Sequence, residues 1–426
     1  MPDPEIAEKR GEAEVAIKSR RLMKTLSDSS FRLELFPDGD IASFTREMVA
    51  EIPSRPDIFI FRSLEAEPSA YRSGQYTAVF FDLRFIEGVH RLTYCGLFAD
   101  VPVPICAEAV LGLPVDRKDV PAFQAKAFAM RALIERLLTY GFAHEALLLS
   151  QTLSTQFGER YRSRFIRGDQ VRRSSQISKA QLAFLLLHEL GHHLWNTNSD
   201  AITDSKRKAH EAVAALEDTD VALAVKRMYE NSIAVDIDET SAAEYFTNAV
   251  KTLRGSASLV EVTCDVFALD YLFAKMAILN IPLKEIVLAV SLMRLAMATM
   301  GSISLSANLY AGRNPRQPSQ FEQFGRTIVM QDICFWKGVA EADRAMASRI
   351  ESETETMRAI TETSSAYFNR AAGPVLNLLT SVDVVGLRRT AQQLYQNGLS
   401  DSEALNMAVE LFDLPKEQCS GELLVV

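Results

Sequence analysis

The sequence predicts an α+β protein that is predominantly helical, with a small antiparallel sheet near its start and a helical C-terminal region. Two observations carry this expectation. Strand signals, runs of β-branched and aromatic residues bounded by turn formers, are confined to residues 30–110. From Pro121 onward, apolar residues recur almost everywhere at helical spacing.

In chain order, residues 1–26 read as an exposed helix whose apolar positions are too sparse for a central element. Ile58-Phe59-Ile60-Phe61 follows a proline-bounded turn and reads as a strand. Tyr76 to Phe85 reads as another, and a Glu87-Gly88 turn leads into a third at His90 to Tyr94. Helices are expected over 121–157, 178–195, 205–230, 238–253, 258–279, 283–300, 335–362, 364–380, 384–397 and 401–412. This divides the chain into an N-terminal helix and sheet region (1–120), a helical core (121–335) and a helical C-terminal region (336–426). At 426 residues the chain is long enough to bury a large core.

Composition narrows the function. An apolar fraction of 48% and a charged fraction of 24% are ordinary for a soluble globular protein. A net charge of -9 argues against nucleic acid as an obligatory partner. The cysteines are odd in number, five, and lack Cys-x-x-Cys pairing, which fits a reducing cytoplasm. The N-terminus shows no apolar core of a secretion signal. Ile286 to Leu305 is long and mostly apolar, but Arg294 near its middle favours a buried core helix over a membrane span.

The residues that carry chemistry lie in the helix expected at 178–195. Ser178 and Gln181 have the spacing of a capping box, Leu182 to Leu187 is apolar, and His188-Glu189-Leu190-Gly191-His192 follows. Residues four apart share a helix face, so His188 and His192 can aim ring nitrogens at one point, where zinc fits. Glu189 stands on the flank, placed to take a proton from metal-activated water instead of ligating the metal. The chain holds six histidines, and three of them fall within residues 188–193. A chance match of the pattern is on the order of one in two hundred. His193 is expected to point away from the zinc face.

Catalytic zinc usually has three protein ligands and one open position. A metzincin continuation would need glycine and histidine where the chain has Trp195 and Asn198. No histidine follows His210, so a downstream carboxylate is the expected third ligand. Of the glutamates between the motif and residue 300, Glu261 is the one with an aspartate four residues on, Asp265. On a helix, Glu261 would ligate zinc while Asp265 accepts the second ring N–H of a ligand histidine. Glu244, with Asn248 four residues later, is the rival. The Glu261 assignment requires the two helices to meet across 68 residues, through an inserted helical segment at about 197–257.

His188-Glu189-x-x-His192 followed by Glu261-x-x-x-Asp265 resembles the gluzincin metallopeptidases. The wording Glu-Val-Thr-Cys-Asp-Val-Phe-Ala-Leu-Asp-Tyr-Leu from Glu261 is similar to the second motif of ImmA/IrrE-type and related bacterial peptidases. The resemblance covers two short helices. It implies a zincin-like catalytic unit with one zinc per chain, and a sheet whose edge strand binds extended substrate by strand addition. It also implies hydrolysis by a zinc-bound water, with Glu189 as general base that later passes the proton to the leaving amine. Relatives use a downstream side chain to stabilise the oxyanion; here Tyr310 or Arg326 could serve, against the alternative of an ordinary surface loop over Asn308 to Arg326.

The resulting expectation is a cytoplasmic zinc metalloendopeptidase acting on a restricted protein substrate, with the insertion as a lid. The alternative is a zinc-stabilised sensor or interaction module without turnover, which predicts a site closed by four protein ligands. Arg160, Arg162, Arg164, Arg167, Arg172 and Arg173 form a basic cluster before the metal helix, read as a solvated loop in preference to an acidic-ligand site. His90 and His144 lack neighbours at ligand spacing and read as packed or surface histidines.

Overall fold

The computed structural model describes residues 4–19, 41–50, 52, 56–61, 68–97, 120–157, 170–222, 238–275, 281–313, 321–330, 333, 362–363, 366–412 and 424–425. Its sheet contains β1 (Asp57–Phe61), β2 (Ser69–Ser73), β3 (Tyr76–Asp82) and the short β4 (Leu424–Val425), in the order β2-β3-β1-β4. β2 and β3 form an antiparallel hairpin, and β4 is antiparallel to β1. β1 runs parallel to β3, with Asp57 opposite Ala78 and Phe61 opposite Asp82. The sheet is therefore mixed, and the expected antiparallel sheet is corrected. The cause lies in burial: a strand covered on both faces is a continuous apolar run, as Ile58 to Phe61 is. Ile58, Ile60, Val79 and Phe81 face the main core. Phe59, Phe61, Ala78 and Phe80 face a second, smaller core closed by Ala13 of α1 (Pro4–Ser19).

The strand expected at His90 to Tyr94 is instead part of α3 (Leu83–Leu97). The Asp82 side chain accepts a hydrogen bond from the Arg84 amide at 2.9 Å, which caps the helix immediately after β3. Buried Leu83, Ile86, Val89 and Leu92 recur at helical spacing. Gly88 is not a turn residue; a Cβ there would stand 2.8 Å from Met300 Cε, so glycine lets α3 lie close against a neighbouring helix.

α2 (Ile41–Val49) precedes the sheet; α4 (Val120–Thr139), α5 (Ala143–Phe157) and α6 (Gln170–Asn196) follow α3, and α6 carries the His-Glu-x-x-His string. α6 begins eight residues before Ser178, so the capping box expected there is not a cap. Ser178 is buried, with its hydroxyl 2.6 Å from His90 Nδ1. Gln181 donates to Thr93 Oγ1 at 2.9 Å and to the Ala289 carbonyl at 3.3 Å. Both residues thus tie α6 to its neighbours, a role that shares its sequence spacing with capping. A buried ion cluster joins α3 to α4: Arg84 pairs with Glu135, and Arg131 Nε stands 3.3 Å from Glu135 Oε1.

After a short turn at Asp200–Ile202 come α7 (Thr203–Glu217), α8 (Glu239–Leu253) and α9 (Ser256–Ala274). Asp238 caps α8, accepting from the Ser241 amide at 2.9 Å. Ala209 and Val213 of α7 and Leu253 of α8 pack with Val262 and Val266 of α9 in one apolar cluster. Helices of the insertion therefore buttress α9.

α10 (Leu283–Tyr310) is long and apolar enough over Glu285–Tyr310 to cross a membrane, yet 72% of its most apolar window is buried inside the protein. Arg294 is 1% exposed and donates to Gln323 Oε1 at 2.8 Å. The C-terminal region adds α11 (Gly373–Ser381), α12 (Val384–Gln396) and α13 (Asp401–Phe412). His144 of α5 is packed against it, with Nε2 2.8 Å from the Leu399 carbonyl and Nδ1 3.2 Å from Asp401 Oδ1. Arg160, Arg162, Arg164 and Arg167, most of the helix expected at 335–362, and residues 223–230 and 276–279 of two other expected helices lie outside the described residues. Arg172 and Arg173 fall near the start of α6.

Candidate metal centre

Two helices must approach closely for a carboxylate on one to reach histidines on the other. α6 and α9 do so at Gly191, where an added Cβ would lie 3.0 Å from Cα and Cβ of Cys264. Any side chain at Gly191 would hold the helices apart. Glycine lowers helix propensity by about 1 kcal/mol, a cost that close packing here offsets.

This crossing brings Glu261 between the two histidines. His188 Nε2 stands 3.3 Å from Glu261 Oε2, and His192 Nε2 stands 3.3 Å from Glu261 Oε1. The two imidazoles are 5.0 Å apart at their centroids and nearly perpendicular. Ligand atoms of His188, His192 and Glu261 all lie within 4.8 Å of one another. Around a tetrahedral zinc with bonds of about 2.0–2.1 Å, neighbouring ligand atoms stand about 3.3–3.4 Å apart; each histidine is at that separation from one oxygen of Glu261, His188 from Oε2 and His192 from Oε1. Glu244, the rival carboxylate, is exposed on α8 and does not join the cluster.

Asp265 takes the expected place behind a histidine. Its Oδ1 is 2.9 Å from His188 Nδ1, an ion-pair contact without the linear geometry of a formed hydrogen bond. Asp265 is 1% exposed. Burial alone would raise its carboxyl pKa, but Arg326, Arg294 and His188 hold it well below the usual carboxylate range. Glu261 is likewise opposed by burial and held far down by His188, His192 and Arg326. Burial would lower the His188 pKa, yet Asp265 and Glu261 beside it raise it to about 9. A carboxylate–imidazole–carboxylate arrangement of this kind stabilises positive charge between its acids, whether a proton or a metal ion supplies it.

Glu189 is buried and outside the ligand set. Burial raises its carboxyl pKa, against the pull of His192 and His188. Phe184, one turn earlier, stacks on the His188 ring with centroids 6.3 Å apart. His193 points elsewhere, as expected: its Nδ1 lies 2.7 Å from Thr77 Oγ1 on β3. That contact anchors the sheet to α6.

The two oxyanion candidates fare differently. Tyr310 is not gathered into the cluster; its hydroxyl donates to Glu145 Oε1 at 2.9 Å and its ring packs against Phe142 and Arg388. Arg326 does reach the centre, but from helical residues 321–330 and not from a surface loop. Its guanidinium is committed to carboxylates, with Nε 2.7 Å from Asp265 Oδ2, Nη2 3.0 Å from Asp265 Oδ1 and Nη1 2.8 Å from Glu261 Oε2. Sequence reasoning overlooked this pairing, because an ion pair spanning 61 residues leaves no local pattern. It also passed over Gly191, whose place inside the motif signals a tight helix crossing.

Compared with known proteins, the chain matches no family model, no curated protein and no solved structure.

Proposed function

We propose that this protein is a zinc-dependent metallopeptidase, with His188, His192 and Glu261 as the metal ligands and Glu189 as general base. The supporting observation is the meeting of these three donor side chains although 68 residues of chain separate His192 from Glu261, with Glu189 beside them. When bound, zinc would supply Lewis acidity, polarising a peptide carbonyl and lowering the pKa of water toward about 7. The chain's own residues do the rest. Asp265 orients His188; Glu189, in a buried environment that raises its proton affinity, accepts a proton from water and delivers it to the departing amine. His192 and Glu261 are partly exposed, which gives substrate a route to the ligand side.

The substrate in this reading is an intracellular protein or peptide. By resemblance, an extended segment would pair with the sheet edge; β2 is an outer strand and packs against α6. The alternative module without turnover calls for a fourth protein ligand, and among the described residues the cluster has three.

Zinc-loaded wild type and Glu189→Gln, incubated with a degenerate peptide library and analysed by mass spectrometry, test the proposal. Wild type should cleave, and Glu189→Gln should retain zinc while losing about 10²–10⁴-fold in rate. Equal cleavage by both would remove Glu189 from the reaction. A zinc-loaded wild type that cleaves nothing in the library would favour the non-catalytic module.

A further inference from the structure

The guanidinium of Arg326 touches both carboxylates of the centre. It is 2% exposed, grips Asp265 with two nitrogens at 2.7 and 3.0 Å, and places Nη1 2.8 Å from Glu261 Oε2. Glu322 adds a longer contact of 3.7 Å to Nη1 and accepts a hydrogen bond from Ser258 of α9 at 2.9 Å. Helical residues 321–330 are thereby fastened to α9 at the level of the metal ligand.

We propose that Arg326 is a positioning residue that clamps Glu261 and Asp265 in one fixed relation, so that Glu261 cannot turn to give both of its oxygens to the metal. The inference rests on the metal-centre reading above. A carboxylate with both oxygens free can turn and fill two metal positions. Glu261 Oε2, 3.3 Å from His188 Nε2, is also held at 2.8 Å by a buried donor, whose planar fork is itself locked by Asp265. One metal position then stays open for water and substrate, the arrangement that separates catalytic from structural zinc. Lysine carries the same charge but lacks the fork, so it cannot hold both carboxylates in this geometry.

Cobalt(II) is the probe, because its visible absorption is strong with four ligands and weak with five or six. Wild type and Arg326→Lys are each titrated with Co²⁺, and the metal-free proteins are melted to establish that they fold. The wild-type complex should give the strong four-ligand spectrum. Arg326→Lys should bind Co²⁺ about 10–100-fold more weakly, the usual scale for losing a residue that orients a ligand, and its spectrum should weaken. A folded Arg326→Lys with unchanged affinity and spectrum overturns the proposal. So does a weak spectrum from wild type, a result that does not depend on any variant folding. Failure of wild type to bind Co²⁺ at all would sink the metal centre itself, an outcome distinct from the other two.

Discussion

A methyl group added at Gly191 strikes the point where α6 and α9 cross. An alanine Cβ there would lie 3.0 Å from Cα and Cβ of Cys264 and 3.2 Å from its Sγ. Ordinary carbon contacts are about 3.5–4.0 Å, so α9 must withdraw by roughly 0.5 Å or more at this level. Rotating the cysteine side chain gives no relief, because its Cα and Cβ are fixed to the helix. Glu261 lies one turn earlier on α9, so its carboxylate moves with the helix. Metal sites hold their ligand distances to within about 0.2 Å, and a shift of this size exceeds that tolerance. Overpacking costs about 1–3 kcal/mol, partly offset by about 1 kcal/mol of gained helix propensity. Gly191→Ala should therefore remain folded with a modestly lower Tm, while its zinc affinity falls about 10–100-fold. Competition against a chromophoric chelator measures the affinity, and a thermal melt of metal-free protein measures the stability. Gly88→Ala is the control: its Cβ would meet Met300 Cε at 2.8 Å, the movable end of a flexible side chain in another part of the core. Zinc affinity should be unchanged in that variant. A folded Gly191→Ala that binds zinc as tightly as wild type would refute the claim that this crossing sets the ligand geometry.

Two further perturbations probe the frame around the centre. Glu135→Ala takes from buried Arg84 and half-buried Arg131 the carboxylate they share and should cost about 3–5 kcal/mol in urea unfolding; a loss below about 1 kcal/mol would make the cluster dispensable. Burial depresses the His90 pKa from 6.5 to about 3, with Arg91 adding to the effect, so the folded protein excludes a proton that the unfolded chain accepts. Stability from this group is fully present above about pH 6.5 and falls as pH drops toward 3, by up to about 1.4 kcal/mol per pH unit. In His90→Gln the decline between about pH 6.5 and 5 should be shallower than in wild type, as followed by Tm; parallel curves would show that His90 does not govern the decline.

The pairings within each helix were legible in the sequence because residues four apart share a helix face: His188 with His192, and Glu261 with Asp265. Distances between those helices were not, and the approach of α9 to α6 depends on a glycine and on buttressing by α7 and α8. Helical content followed from apolar periodicity, but strand direction did not. Ile58 to Phe61 signalled a strand, while its parallel pairing with β3 reflects burial on both faces. Glu87-Gly88 has the composition of a turn and sits inside α3, since a glycine that admits a neighbouring helix looks the same in sequence as one that turns the chain. Ser178 and Gln181 have capping-box spacing and serve instead as buried polar links to α3 and α10. Arg326 was singled out for another reason, as an oxyanion donor; its pairing with Asp265 and Glu261 is a tertiary fact.

Metal content bears most directly on the central claim. Wild type and Glu261→Ala, purified without added zinc and analysed by elemental mass spectrometry with a parallel melt to establish folding, should differ sharply. One zinc per wild-type chain is expected, with its loss from folded Glu261→Ala. A wild type free of metal that also takes up none when titrated, or a variant with undiminished zinc, would contradict it.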